Sequence, residues 1–528
     1  MRKTNHTNFK WFLSFVAIIL IVAGAVFINN NYSKENSDKI EGTISTDNGD
    51  LKINWERYPT YSIELSESLN INNSGTYHLT GSLDNGSIVI NSGQEGVVKI
   101  ILDNATIKNS NGPAISCLSA DDLVIEITGN NAIEDGPTYS ADLNEDITGA
   151  IYSKADLTFQ GDGNLTILAN YQDGIVSKDD LKFSSGTYNI TAADDAIRGK
   201  DSVYIVGGDF IIDAKADAIK STNETDIGKG FVLIESGSFN ISAKAKGIKA
   251  INSILIYDGD FIIDSTDDAI HSNNYVGIVD GNISITSKDD GIHADRELIV
   301  EDGTINIKQS YEGIEAQAIT INGGDTSILA SDDGLNAGGG ADSSANNRVG
   351  AGAFDADADC VISINNGNLY INAAGDGIDS NGYLYFNGGS VVVDGPTNNG
   401  NGALDAGAGI MMNGGKVIAV GASGMAESLG SSSAIYNISV YLSSSQSANT
   451  KIKIKDEDGN TIMNHTSAKT FNHMSVGTEE FQYGETYTIY INDELYQSFT
   501  ISDITTTIGN SNTNQNMMMS PSGNRGQR

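Results

Sequence analysis

The stretch DDAIRGKDSVYIVGGDFIIDAKADAI, residues 194–219, contains one full repeat of the chain. It opens on a tetrad of two acids, a small residue and an aliphatic one, and it reaches the next such aliphatic 22 residues later. Related tetrads are DDAI at 267–270, DDGI at 289–292 and DDGL at 332–335. The closing aliphatic sets a register through Ile175, Ile197, Ile219, Ile248, Ile270, Ile292, Ile314 and Leu335, with steps of 22, 22, 29, 22, 22, 22 and 21 residues. A glycine stands eleven positions before each of the later aliphatics, at Gly186, Gly208, Gly237, Gly259, Gly281, Gly303 and Gly324, and again at Gly367 before Ile378. Two registers kept in step over this length identify a repeat architecture.

A unit of 22 residues divides into three short strands and three turns, for instance Ser253–Tyr257, Asp260–Asp264 and Ala269–Ser272. Alternation within these strands sends Ile254, Ile256, Phe261, Ile263 and Ile270 inward. The predicted fold is therefore all-β, a parallel β-helix with three strands per coil, taken as right-handed by analogy with three-sided helices of this coil length. Insertions are expected at Ser221–Gly230, from the 29-residue step, and around Gly338–Asp359.

The flanks read differently. Residues 1–30 carry Arg2, Lys3 and Lys10 before an apolar run from Trp11 to Ile28, the pattern of a secretory signal or an uncleaved membrane anchor, and either places the rest of the chain outside the cytoplasm. Residues 31–52 form a polar spacer, 53–430 the solenoid, 431–508 a small separate β-domain and 509–528 a tail without pattern. Composition agrees with many short strands broken by turns, since glycine occurs 59 times and proline only 5 times. Acids outnumber bases 68 to 31, a net charge of −37 that repels nucleic acid and favours cations as partners. Cys117 and Cys360 are too few for a disulfide framework and are assigned to core packing.

Stacking the coils turns the tetrads into columns. One holds Asp173, Asp195, Asp217, Asp268, Asp290, Glu312, Asp333 and Asp376, interrupted by Lys246; its neighbour holds Asp194, Asp267, Asp289 and Asp332. Coils lie roughly 4.8 Å apart, a spacing at which two unit charges repel by roughly 3–4 kcal/mol at an effective dielectric of about 20. An ion midway between two such carboxylates would sit about 2.4 Å from each, within the range of calcium–oxygen bonds. Zinc would require His or Cys at close spacing, which the sequence lacks. The alternative is that these aspartates cap turns by accepting backbone N–H groups. Directly after the aliphatic come Arg198, Lys220, Lys249, His271 and His293, then Glu315, Asn336 and Asp379. The bases could form surface salt bridges with the acids or, together with calcium, hold the carboxylate of an acidic sugar. The DADAD run at 355–359 is a further calcium loop candidate.

The tetrads, with GDGIDSNG at 375–382 and GGSVVVDGPTNNGNGALD at 388–405, resemble the bacterial extracellular carbohydrate-binding domain-containing family. The resemblance covers most of Ile53 to Gly430. It implies a right-handed, pectate-lyase-like β-helix that binds calcium, through the tetrad aspartates and Asp376, and binds acidic or cellulosic polysaccharides. Lys246 and the acid-poor early coils depart from that pattern. Three functions compete: a calcium-dependent polysaccharide-binding monomer, a lyase with Arg198, Lys220 or Lys249 as base, and a structural or adhesive surface rod.

Overall fold

The computed structural model describes residues 53–338 and 357–510. The segments read as signal or anchor and as polar spacer, and nearly all of the tail, lie outside them; among the described residues no helix is long and apolar enough to cross a membrane. The chain is all-β, its one helical turn among these residues being Trp55–Arg57. Strands recur in threes, as in Ser202–Ile205, Asp209–Ala214 and Ile219–Ser221, and each pairs in parallel with its equivalent in the next coil. The stack is a β-solenoid with three faces, named first, second and third in that order.

The aliphatic register of the sequence is the register of the third face. Ile151, Ile175, Ile197, Ile219, Ile248, Ile270, Ile292, Ile314, Leu335, Ile378 and Leu404 are successive partners in one parallel ladder, all of them buried. The second face stacks Phe210, Phe239 and Phe261 with near-parallel rings whose centroids are 5.0 and 4.5 Å apart. Identical residues on identical positions thus fill the core in layers, and Cys117 and Cys360 lie unbridged within it.

The glycine register has a steric cause. Gly237 adopts φ 134°, and a Cβ there would meet the Gly208 carbonyl oxygen in the preceding coil at 2.8 Å. Any other residue would be strained and would also push the coils apart.

The 29-residue step is a loop through Asn223 and Lys229, thrown out between the third and first faces. At the C-terminal end, the last second-face strand, Lys416–Gly421, pairs in parallel with Ser390–Asp394 and antiparallel with Phe471–Thr478. Strands Asn437–Gln446 and Thr505–Ile508 continue that sheet, while Lys451–Lys455, Thr461–Thr466, Thr486–Ile491 and Glu494–Thr500 form a separate four-stranded antiparallel sheet. A second core joins the two parts, with Ile418 and Val420 of the solenoid packed among Val440, Ile454, Met474 and Ile489.

Candidate functional site

The acidic column occupies the corner between the second and third faces, where the chain turns sharply and backbone N–H groups are left over by the strands. One oxygen of most of these carboxylates takes up such a group from the next coil. The N–H groups of Asp195, Asp217, Lys246, Asp290 and Glu312 donate to Oδ1 of Asp173, Asp195, Asp217, Asp268 and Asp290 at 3.0–3.2 Å. That of Asp376 donates to Asp333 at 2.6 Å. Turn capping, one of the two readings of the sequence, thus describes this first oxygen. The column is also buried: Asp268 and Glu312 are 1 % exposed and Asp333 is 7 %.

The second oxygen meets the basic column in the coils up to Asp290. Arg198 pairs with Asp173, Lys220 reaches Asp195 and Asp217 at 3.0 Å each, and His271 Nδ1 lies 2.8 Å from Asp268. Lys246, the break in the acidic column, places its ammonium 2.6 Å from Asp268 and 2.8 Å from Asp267. Burial would raise the Asp268 pKa, but His271 and Lys246 outweigh it and hold the carboxyl below its usual range. Burial likewise disfavours the charged form of Lys220, yet Asp217 and Asp195 outweigh it and raise the pKa. Of the predicted sugar contacts, Arg198, Lys220 and Lys249 are half-buried, whereas His271 and His293 are 3 % and 1 % exposed and turn no ring towards the surface. The expectation that histidines lack close spacing is corrected by the fold: residues 22 apart in sequence stack on adjacent coils, with ring centroids 4.8 Å apart.

Past Glu315 the basic column is replaced by Asn336, Asp379 and Asp405. Asp333 is pushed up to about 8 by burial and by Asp332, Asp376 and Asp379. Asp376 rises to about 6 through burial and the charges of Asp405 and Asp332, and Glu427 to about 7 through burial and Asp405. Burial and like charge together favour either protons or a cation here. Asn336 Oδ1, also buried, accepts no hydrogen bond. The donors are all hard oxygens, the set that suits calcium. Of the DADAD run only 357–359 is described, with Asp357 and Asp359 exposed.

A second acidic cluster escaped the sequence reading, at the corner between the third and first faces. Asp156, Asp179 and Asp180 gather there beside Asp201. Burial first, then Asp179 and Asp180, push Asp156 up to about 7. The inserted loop closes over this cluster, with Lys229 bound to Asp201 and Asn223 donating to Asp201 at 2.6 Å. Its signal was present as SKAD at 153–156, SKDD at 177–180 and GKDS at 199–202.

The profile of a family described as carbohydrate-binding domain-containing protein matches residues 66–268 and 243–358, together more than half of the chain. This chain belongs to that family. The matched stretch holds most of the tetrads and ends before the motifs at 375–382 and 388–405. A carbohydrate-binding domain-containing protein of Acetivibrio thermocellus is 31% identical over 145 residues, 27% of this chain and 50% of the relative. The chain therefore spans about half the length of the curated relative it matches. Among solved structures, a polysaccharide lyase-like protein from C. thermocellum, studied as a gadolinium derivative, is 26% identical. That alignment covers 46% of this chain and 96% of the other, with a TM-score of 0.39.

Proposed function

We propose that this protein is an extracellular, calcium-dependent polysaccharide-binding protein, secreted or tethered by its N-terminal apolar segment, that takes acidic, pectin-like or cellulosic chains along the third face. The observation that carries this reading is the gathering of Asp332, Asp333, Asp376 and Asp379 on consecutive coils where the basic column has ended. Calcium held there would leave coordination positions for a sugar carboxylate or hydroxyl, and Arg198, Lys220 and Lys249 farther along the face would add charge-assisted contacts to a uronate chain. Membership of a carbohydrate-binding family supports the ligand class. Binding is favoured over cleavage because a lyase needs a free base. Of the three candidate bases, Arg198 and Lys220 are engaged by buried carboxylates, and those beside Lys220 keep it protonated, which leaves Lys249 as the lyase base for the assay to test.

The test is retention of the purified chain on polygalacturonate and on cellulose, with calcium and with chelator, while the absorbance of unsaturated products is followed. Calcium-dependent retention without that absorbance is the expected result. Retention unaffected by chelator would remove calcium from the proposal, a rise in absorbance would establish the lyase, and no retention on either polymer would leave a structural rod.

A further inference from the structure

Within the described part of the third face, two successive coils set a histidine between two carboxylates. His293 Nδ1 lies 3.4 Å from Asp290 Oδ2 and 3.0 Å from Glu315 Oε2. These three atoms come from two successive coils and lie within 4.8 Å of one another. Each is held from behind. His293 Nε2 stands 3.1 Å from Asp295 Oδ1, which orients the ring so that Nδ1 faces the two carboxylates. Asp290 Oδ1 accepts the N–H of Glu312 at 3.1 Å, leaving Oδ2 for the cluster. Asn336 Nδ2 lies 3.4 Å from Glu315 Oε1, on the side away from His293.

We propose that Asp290, His293 and Glu315 form a binding site for a zinc-class divalent ion, separate from the calcium-binding end of the ladder. A tetrahedral ion with bonds of about 2.0–2.1 Å sets its ligands about 3.3 Å apart, a value that the two separations seen here, 3.0 and 3.4 Å, bracket. Nitrogen is the discriminating donor: imidazole suits zinc and its neighbours, whereas calcium prefers oxygen. The carboxylate behind the imidazole, Asp295, completes the carboxylate–histidine–metal arrangement that fixes the tautomer and raises ligand basicity. In the coils nearer the N-terminus the same corner is filled by a covalently attached cation, Arg198 on Asp173 or Lys220 on Asp195 and Asp217. At His293 the corner instead carries an imidazole, whose Nδ1 can serve as a ligand atom beside the two carboxylates.

Chelator-treated full-length protein, titrated with zinc in the presence of excess calcium, should bind one ion at this site. Cobalt in its place should give the visible d–d bands of a nitrogen-containing, low-coordinate site. H293Q and E315Q should each weaken this binding at least tenfold and abolish the bands. D295A should weaken it about 10–100-fold without changing the stoichiometry, as for a positioning residue. H271Q, altering the stacked neighbour, should leave it intact. Far-UV circular dichroism of each variant should match the parent, so a misfolded variant is replaced by its partner in the set. Failure of the parent chain to bind zinc, displacement of zinc by equimolar calcium, or an unchanged affinity in both H293Q and E315Q would overturn the proposal; loss in H271Q would overturn the assignment to these ligands.

Discussion

The sharpest consequence of the acidic end is a stability that falls with rising pH in chelator and that calcium largely restores. Asp333 is pushed up to about 8 in the folded chain, against 3.8 for an ordinary aspartate. The group is an acid whose folded pKa is raised, so its contribution is full below pH about 4 and is lost as pH rises through about 8. At 1.36 kcal/mol for each pKa unit, raising the pH from about 5 to about 8 in chelator should cost about 3–4 kcal/mol from this residue alone. Asp376 and Glu427, raised to about 6 and about 7, act in the same direction at somewhat lower pH. Melting temperature moves about 2–4 °C per kcal/mol in domains of 150–250 residues and less in larger ones, so a fall of several degrees is expected by calorimetry. Calcium about 100-fold above its Kd restores about 2.7 kcal/mol, and does so more at pH 8 than at pH 5, where protons compete. D333N should flatten the chelator curve and weaken the calcium response. A melting temperature that is level from pH 5 to 8 in chelator, or a calcium effect equal at both pH values, would refute the reasoning.

Two further outcomes follow from the fold. Lys246→Met leaves Asp267 and the buried Asp268 without their ammonium, and loss of one partner from a buried pair costs about 3–5 kcal/mol, to be read as a lower urea midpoint with an unchanged slope. Gly237→Ala combines a left-handed backbone with a 2.8 Å approach to the preceding coil and should cost more than the roughly 1 kcal/mol expected from strain alone. Gly459→Ala, with φ 84° but open space around it, should show only that smaller loss, and equal effects at both sites would contradict the steric account of the glycine register.

The fold was legible because repetition is a long-range constraint written locally. Ile197 and Ile219 announce their own partnership by standing 22 residues apart, and the glycines repeat it independently. The site was legible only in part. Sequence spacing placed Asp195, Asp217 and Asp290 in one column, but it could not show that each gives one oxygen to a backbone N–H and is buried. Nor does it reveal that Lys220 spans two coils, since a salt bridge depends on side-chain direction rather than register. His271 and His293 look isolated in the sequence because proximity is normally sought within a few residues, whereas a solenoid makes neighbours of residues one period apart. The cluster at Asp156, Asp179 and Asp180 was passed over because its repeat is short and its acids are closed by a loop from a later coil.

The reversed strand Phe471–Thr478 has a consequence for how long such a molecule can be. A parallel stack ends on a row of unpaired backbone groups with the same spacing and direction as those inside it, and so it can template another copy indefinitely. Chain direction is the property that a further coil must match. By pairing Lys416–Gly421 with a strand that runs the other way, and packing a separate sheet against it, this chain breaks the parallel register and closes that edge from within. Without the reversed strand, Lys416–Gly421 would be an exposed edge open to pairing with another chain.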